Sequence, residues 1–259
     1  EGNMGRLLLL GMIAGLIAGL LAFGVARVWG EPPVAAAIAI EEAQAAAEHV
    51  DDVAVGTEQP AAHTHGGEDE LVSRPTQAGI GLFTGMIVFA TALGGVFALV
   101  YAWAHGRLSD LSPLATAGAI AVLGYVSVTL VPGLKYAANP PAVGSPETIG
   151  MRTGLYFLML AISIAGMVAA VVVARRVTDH RLGWLAGGAT YAGIVVLAAL
   201  ILPAVREVPA DFPAEVLQQF RTVSLLLNAI LWGGTGLIFG WLVGRGTPSS
   251  MLSKATRTA

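Results

Sequence analysis

Long apolar runs alternate along this chain with short polar connections. Reading for stretches of about 20 apolar residues, enough to cross a ~30 Å hydrocarbon core, gives six spans, near residues 7–29, 79–104, 113–133, 153–174, 182–202 and 222–243. The expected fold class is all-α: a polytopic membrane protein with six transmembrane helices in a single membrane domain, 1–259. A long acidic, His-containing outer loop, 30–76, joins helices 1 and 2. Gly11, Gly15 and Gly19 recur at every fourth position of the first span, as do Gly236, Gly240 and Gly244 at the end of the last. Such faces let helix backbones approach closely in lipid.

Composition agrees with the pattern. Of 259 residues, 55% are hydrophobic and 12% charged, and mean hydropathy is +0.72, far from the balance of a soluble domain. There is no cysteine, so thiolate metal sites and cysteine nucleophiles are excluded. A cleaved signal peptide is the alternative for the N-terminal run, with Arg6 ahead of it and Ala35 to Ala37 resembling a cleavage site. The run from Leu7 to Trp29 is longer than the apolar part of such a peptide, so a membrane helix is expected.

Charge distribution sets the expected orientation. Arg6, Arg107, Arg175, Arg176, Arg181, Arg245, Lys254 and Arg257 fall on the side of the N-terminus, and three of these share one short loop. By the positive-inside rule that side is cytoplasmic, which places both termini in the cytoplasm of a bacterial cytoplasmic (inner) membrane protein. Of the 17 acidic residues only Glu1, Asp110 and Asp179 lie on that side. The outer face is therefore negative and concentrates cations by its field.

Most of that charge lies in the 30–76 connection. Its first part, EPPVAAAIAIEEAQAAAEHVDD, opens on a proline pair suited to a helix N-terminus and continues with high helix propensity. A short helix outside the bilayer is expected, separated from the first span by a break after Gly30, with Arg27 reaching the interface or Glu31. Glu41, Gln44, Glu48 and Asp52 share one of its faces, which reads as a solvated acidic face or as a metal-attracting one. Farther on, His63 and His65 stand beside Glu68, Asp69 and Glu70. Imidazole and carboxylate suit cobalt, nickel and zinc; a polar loop without such a role fits the same residues. The candidate metal ligands are Glu31, Glu41, Glu42, Glu48, His49, His63 and His65.

The segment SVTLVPGLKYAANPPAVGSPETIGMR reads as an outer hairpin between the third and fourth spans. Lys135 and Tyr136 suit interfacial depth, Asn139-Pro140-Pro141 fixes a turn, and Ser145-Pro146-Glu147 resembles a capped helix start. Arg152 follows at the outer end of the fourth span. In DFPAEVLQQFR, Asp211 is expected to cap the last helix and Arg221 to meet an acidic group from another outer segment. Lys135, Tyr136, Asn139, Glu147, Arg152, Asp211 and Arg221 are the candidates for gating or partner contact. Asn228, deeper in the last span, serves either as packing glue or as a cavity contact. No G-x-x-x-x-G-K-[ST], H-E-x-x-H or G-x-S-x-G motif occurs, and no charged residue falls at the centre of a span, so an enzyme is not expected.

Four stretches together carry a resemblance: GLIAGLLAFGVARVWGEPPVAAAIAIEEA, the loop ending EDELVSRPTQAGIGLFTGMIVFATALGGVFALVYAWAHGRLS, LVPGLKYAANPPAVGSPETIGMRTGLYFLML, and DFPAEVLQQFRTVSLLLNAILW. The chain resembles the CbtA-type family of proposed bacterial cobalt transporter subunits. Lys135, Tyr136, Asn139, Pro140, Pro141, Glu147 and Arg152 carry it most specifically. The resemblance implies cobalt uptake linked to cobalamin synthesis, with Co2+ or Ni2+ as the transported ion and no permanently bound cofactor. It also implies a small one-span, His-bearing partner of the CbtB type beside the lipid bilayer, and no nucleic acid. A non-transporting membrane scaffold for that small partner is the alternative, and a lipid-acting enzyme is a third reading without motif support.

Overall fold

The computed structural model describes residues 2–55, 73–107, 111–141, 143–144, 146–205 and 207–245, without side chains for 47–55. His63, His65, Ser145 and Arg206 lie outside the described residues, and the side chains of Glu48 and His49 do too. The described residues form helices and connections with no strand. In chain order the α-helices are α1 (Gly2–Val25), α2 (Glu31–Val55), α3 (Arg74–Thr76), α4 (Leu82–Ala104), α5 (Pro113–Gly124), α6 (Val131–Lys135), α7 (Ile149–Arg176), α8 (His180–Ile201) and α9 (Ala214–Arg245). Joined end to end where they are continuous, they give six rods long and apolar enough to cross a membrane. The chain is a multi-pass membrane protein. Its many large apolar side chains on the outside, Leu185 and Leu200 among them, face what the bilayer supplies.

Three of the rods contain a wide π-helical turn, at Ala26–Gly30, Gln77–Gly81 and Tyr125–Leu130. The first corrects the expected break after Gly30. Proline lacks an N–H and its ring presses on the carbonyl four residues back, which for Pro32 and Pro33 lies within Ala26–Gly30. There the Glu31 N–H reaches back to the Ala26 carbonyl, and the widened turn makes room for both rings, so α1 runs into α2 as one helix. At 1.5 Å per residue that helix is about 80 Å long, and its second half projects beyond the bilayer as a stalk. Pro132 repeats the device, with the Tyr125–Leu130 turn behind it and α6 continuing to Lys135.

Small residues set how the rods meet. A Cβ on Gly15 would strike the Ala90 carbonyl, and one on Gly94 would strike the Gly11 carbonyl, so α1 and α4 touch backbone to backbone. Gly236 and Gly240 play the same part against Ala117, Ala121 and Leu114 of α5, whereas Gly244 faces open space. Gly183 and Gly187 seat α8 on the Ala174 and Ala170 carbonyls of α7, where Ser163 and Tyr191 also share a hydrogen bond of 2.8 Å. The result is a four-helix group of α1, α4, α5 and α9, filled by Phe97, Tyr101 and Phe239, beside an α7–α8 pair. The two meet mainly where the Tyr125–Leu130 turn and α6 lie along α7.

Residues 2 and 245 lie at one end of the bundle, the termini face; Glu31, Arg74, residues 136–141 and residues 207–213 lie at the opposite, hairpin face. At the termini face Arg107 donates to the carbonyls of Ala102 (3.3 Å) and Trp103 (3.0 Å), Arg175 donates to the Arg107 carbonyl at 2.7 Å, and Asp179 accepts from the Leu182 N–H at 2.9 Å. Helix ends are thereby closed by charges of the sign the helix dipole favours. Gly94→Val should lower stability in detergent by about 2 kcal/mol or more through overpacking against the Gly11 backbone, while Gly85→Val, with open space at its Cβ, should leave it nearly unchanged. Thermal melting of the purified variants checks this.

Candidate functional site

The seam between the four-helix group and the α7–α8 pair opens at the hairpin face into a cavity of about 1070 Å³. Its walls come from the Tyr125–Leu130 turn, α6, the 136–144 hairpin, the first turns of α7, the 205–208 segment and α9. Each wall is fixed by a side chain whose neighbours in sequence explain its place. α6 ends at Lys135, whose ammonium donates to the Ala199 carbonyl at 2.8 Å and so closes the last turn of α8. Tyr136 leaves the helix and donates its hydroxyl to the Pro203 carbonyl at 2.9 Å. Partial burial pushes that phenol above its ordinary pKa, so it remains a donor across the physiological range.

Asn139 and the two following prolines make the turn, with the Val143 N–H on the Pro140 carbonyl at 3.3 Å. Arg221 of α9 closes it from the other side, donating through Nε to the Ala138 carbonyl at 3.1 Å and through Nη2 to Asn139 Oδ1 at 2.8 Å. This corrects the expected acidic partner for Arg221: the hairpin itself supplies neutral acceptors. Arg152 brings its Nε 2.9 Å from Glu207 Oε2, a close charge contact in which the N–H is not aligned on the carboxylate oxygen. Its guanidinium covers Gly144, which has φ +113° and no room for a Cβ. Only glycine meets both demands. Glu147 stands in the 3-10 turn Pro146–Thr148 that opens α7.

Other expectations resolve differently. Asp211 lies in the turn Pro209–Phe212, ahead of the helix, and the Pro213 carbonyl accepts from the Leu217 N–H instead; the proline N-terminal to Ala214 takes the position expected of the aspartate. Glu31 pairs with Arg74 at 2.9 Å rather than with Arg27, clasping the α1–α2 stalk to the start of the second rod. Glu41 and Glu42 are exposed on the stalk. Among the described residues no three His, Asp or Glu side chains gather where a metal ion would sit. His105 and His180 both stand at the termini face.

The cavity lining is cationic instead. Lys135, Arg152 and Arg221 face it with Glu207. Beside them polar side chains line the cavity from α7 (Thr153, Tyr156), from α9 (Ser224, Asn228) and from the Tyr125–Leu130 turn (Thr129). Asn228 bonds back to the Ser224 carbonyl at 2.9 Å and lines the cavity as well. Sequence reading missed Glu207, Gly144, Tyr156 and Ser224. A lone acid beside a half-buried arginine leaves no spacing signal, and the glycine betrays itself only through its φ.

A family description fits this whole arrangement. The model of the family described as "Probable cobalt transporter subunit (CbtA)" matches residues 4–244, from the first turn of α1 to the last turn of α9. The chain belongs to the CbtA family. No curated protein and no solved structure matches it. The description makes the family's members probable cobalt transporter subunits, and the six membrane-length rods make this CbtA chain a membrane-embedded one. The hairpin-face cavity is the most built site of this CbtA chain among the described residues.

Two measurements check its construction. Gly144→Ala should cost about 1–3 kcal/mol, because it strains the backbone and displaces the Arg152 guanidinium, whereas Gly133→Ala, at the same face with room for a methyl, should cost much less. A double-mutant cycle of Arg152→Gln and Glu207→Gln should give a coupling of about 1 kcal/mol, discounted for partial exposure. Both are read from thermal melting in detergent.

Proposed function

We propose that this chain is the membrane-spanning subunit of a cobalt-uptake transporter linked to cobalamin synthesis, in the bacterial cytoplasmic membrane with both termini in the cytoplasm. The observation that carries the reading is the cobalt-transporter family match across residues 4–244 on a bundle of six membrane-length rods. The basic cluster Arg107, Arg175, Arg176 and Arg181 at the termini face supports the orientation. Inward movement of a dication is favoured by about 2.3 kcal/mol per charge per 100 mV of membrane potential.

Selectivity is the harder requirement. Carboxylates alone discriminate poorly against calcium and magnesium, and imidazole supplies a preference for borderline transition-metal ions such as Co2+ and Ni2+. The reading therefore gives the ligating role to His63 and His65 with Glu48 and His49, and to a small one-span His-bearing CbtB-type partner. Glu41 and Glu42 on the stalk raise the local cation concentration by their field. Glu31 is assigned to the clasp with Arg74 rather than to the metal.

Proteoliposomes test it. With this chain and the small partner together, labelled cobalt should accumulate well above empty vesicles when the interior is negative. Uptake no greater than that of empty vesicles, with and without the partner, would sink the transport reading and leave the scaffold reading, which the cationic cavity favours. Replacing Glu41, Glu42 and Glu48 together by alanine should raise the cobalt concentration needed for half-maximal uptake several-fold at low salt, an effect that disappears near 1 M salt, where charges are screened within ~3 Å.

A further inference from the structure

A cavity that draws in a bare dication should be lined by acids, and this one is lined by bases. Lys135 and Arg221 are both partnered by neutral acceptors, the Ala199 and Ala138 carbonyls and the Asn139 amide oxygen. None of these three bonds cancels charge. Arg152 is set against Glu207, so among the described residues the lining keeps two cations, Lys135 and Arg221, with no acid set against them. Each of those groups has N–H donors beyond the ones its neighbours use, since an ammonium carries three and a guanidinium five. The Arg221 and Lys135 side chains are held in place by their existing bonds, which removes the ordering cost of binding.

Size and rim narrow the ligand class. A volume of about 1070 Å³ suits a ligand of many atoms rather than an ion. Leu134 and Ile149, both lining residues, are largely exposed at its edge, and the cavity opens at the end of membrane-length rods, at the depth of lipid headgroups. At that depth lipid phosphates are within reach, and phosphate matches arginine's fork and lysine's point charge.

We propose that the hairpin-face cavity binds a phosphate group, presented by an anionic phospholipid of the surrounding membrane or by a soluble phosphate, with Lys135 and Arg221 as its charge partners. Bound there, the anion touches α6, the hairpin and α9 at once, and it ties the four-helix group to the elements that lead into α7. This holds whether or not the chain carries cobalt.

The test uses the full chain in a neutral detergent, with phosphatidylglycerol binding followed by native mass spectrometry and inorganic phosphate binding by the thermal shift it produces. Lys135→Gln combined with Arg221→Gln should weaken binding on the order of tenfold or more, because charge-assisted hydrogen bonds are lost. Glu207→Gln should tighten it several-fold, a gain that misfolding does not mimic. Arg175→Gln at the termini face should change nothing. Tight phosphatidylglycerol binding with that variant order supports the lipid as the source. A phosphate response with the same order, and no lipid retention, supports a soluble phosphate. Equal binding by the wild type and all variants, or no binding of either probe, overturns the proposal.

Discussion

In a hydrocarbon core every backbone N–H and C=O must find its partner within the chain, and the rest of this structure follows from that constraint. It dictates long uninterrupted rods, and it makes interruption costly enough that the chain bends its helical geometry rather than break it. Pro32, Pro33 and Pro132 show how. Each follows a π-helical turn whose extra width takes the ring without abandoning the ladder. Polar chemistry is thereby pushed toward the ends of the rods, with caps and a basic cluster at the termini face and the cavity at the hairpin face.

Close backbone contact then divides the bundle. Glycine and alanine on α1, α4, α5 and α9 let four rods pack without large side chains between them, and other small residues join α7 to α8. Without a hydrophobic drive between helices in lipid, such fit is what holds rods together. The seam between the two groups has no comparable row of close backbone approaches, and there the cavity opens. Its walls are held by side chains reaching across: Lys135 to the end of α8, Arg221 to the hairpin and Arg152 to Glu207.

The rods themselves were legible in the sequence because hydrophobic length is a strong signal, and the glycine spacing in α1 foretold a close helix contact, though not that α4 makes it. The hairpin was legible too, since Lys135, Tyr136 and the Asn-Pro-Pro turn each have a local reason to be where they are. What escaped was nonlocal or exceptional. Proline read as a stop because the preceding π turn has no sequence signature. The Glu31–Arg74 and Arg152–Glu207 pairs join residues far apart in the chain, and nothing in their spacing announces them. The sign of the cavity was hidden by the acidic average of the connections expected on one side: Glu41 and Glu42 lie on the stalk, while the bases line the seam.

These charges separate two tasks that one site would perform badly. On the proposed reading the acidic stalk attracts cations, while the cavity lining sets Lys135, Arg152 and Arg221 against Glu207 and takes an anion. In this account the imidazole that distinguishes cobalt comes from the partner and the His-bearing loop, and the hairpin-face cavity ligates no metal. The visible absorption spectrum of Co2+ titrated into the purified chain, with and without the small His-bearing partner, tests that division most directly. The account predicts a saturable spectrum of nitrogen-ligated cobalt in the pair, unchanged by Glu207→Gln in the cavity. A stoichiometric cobalt spectrum from the chain alone that Glu207→Gln abolishes would contradict it.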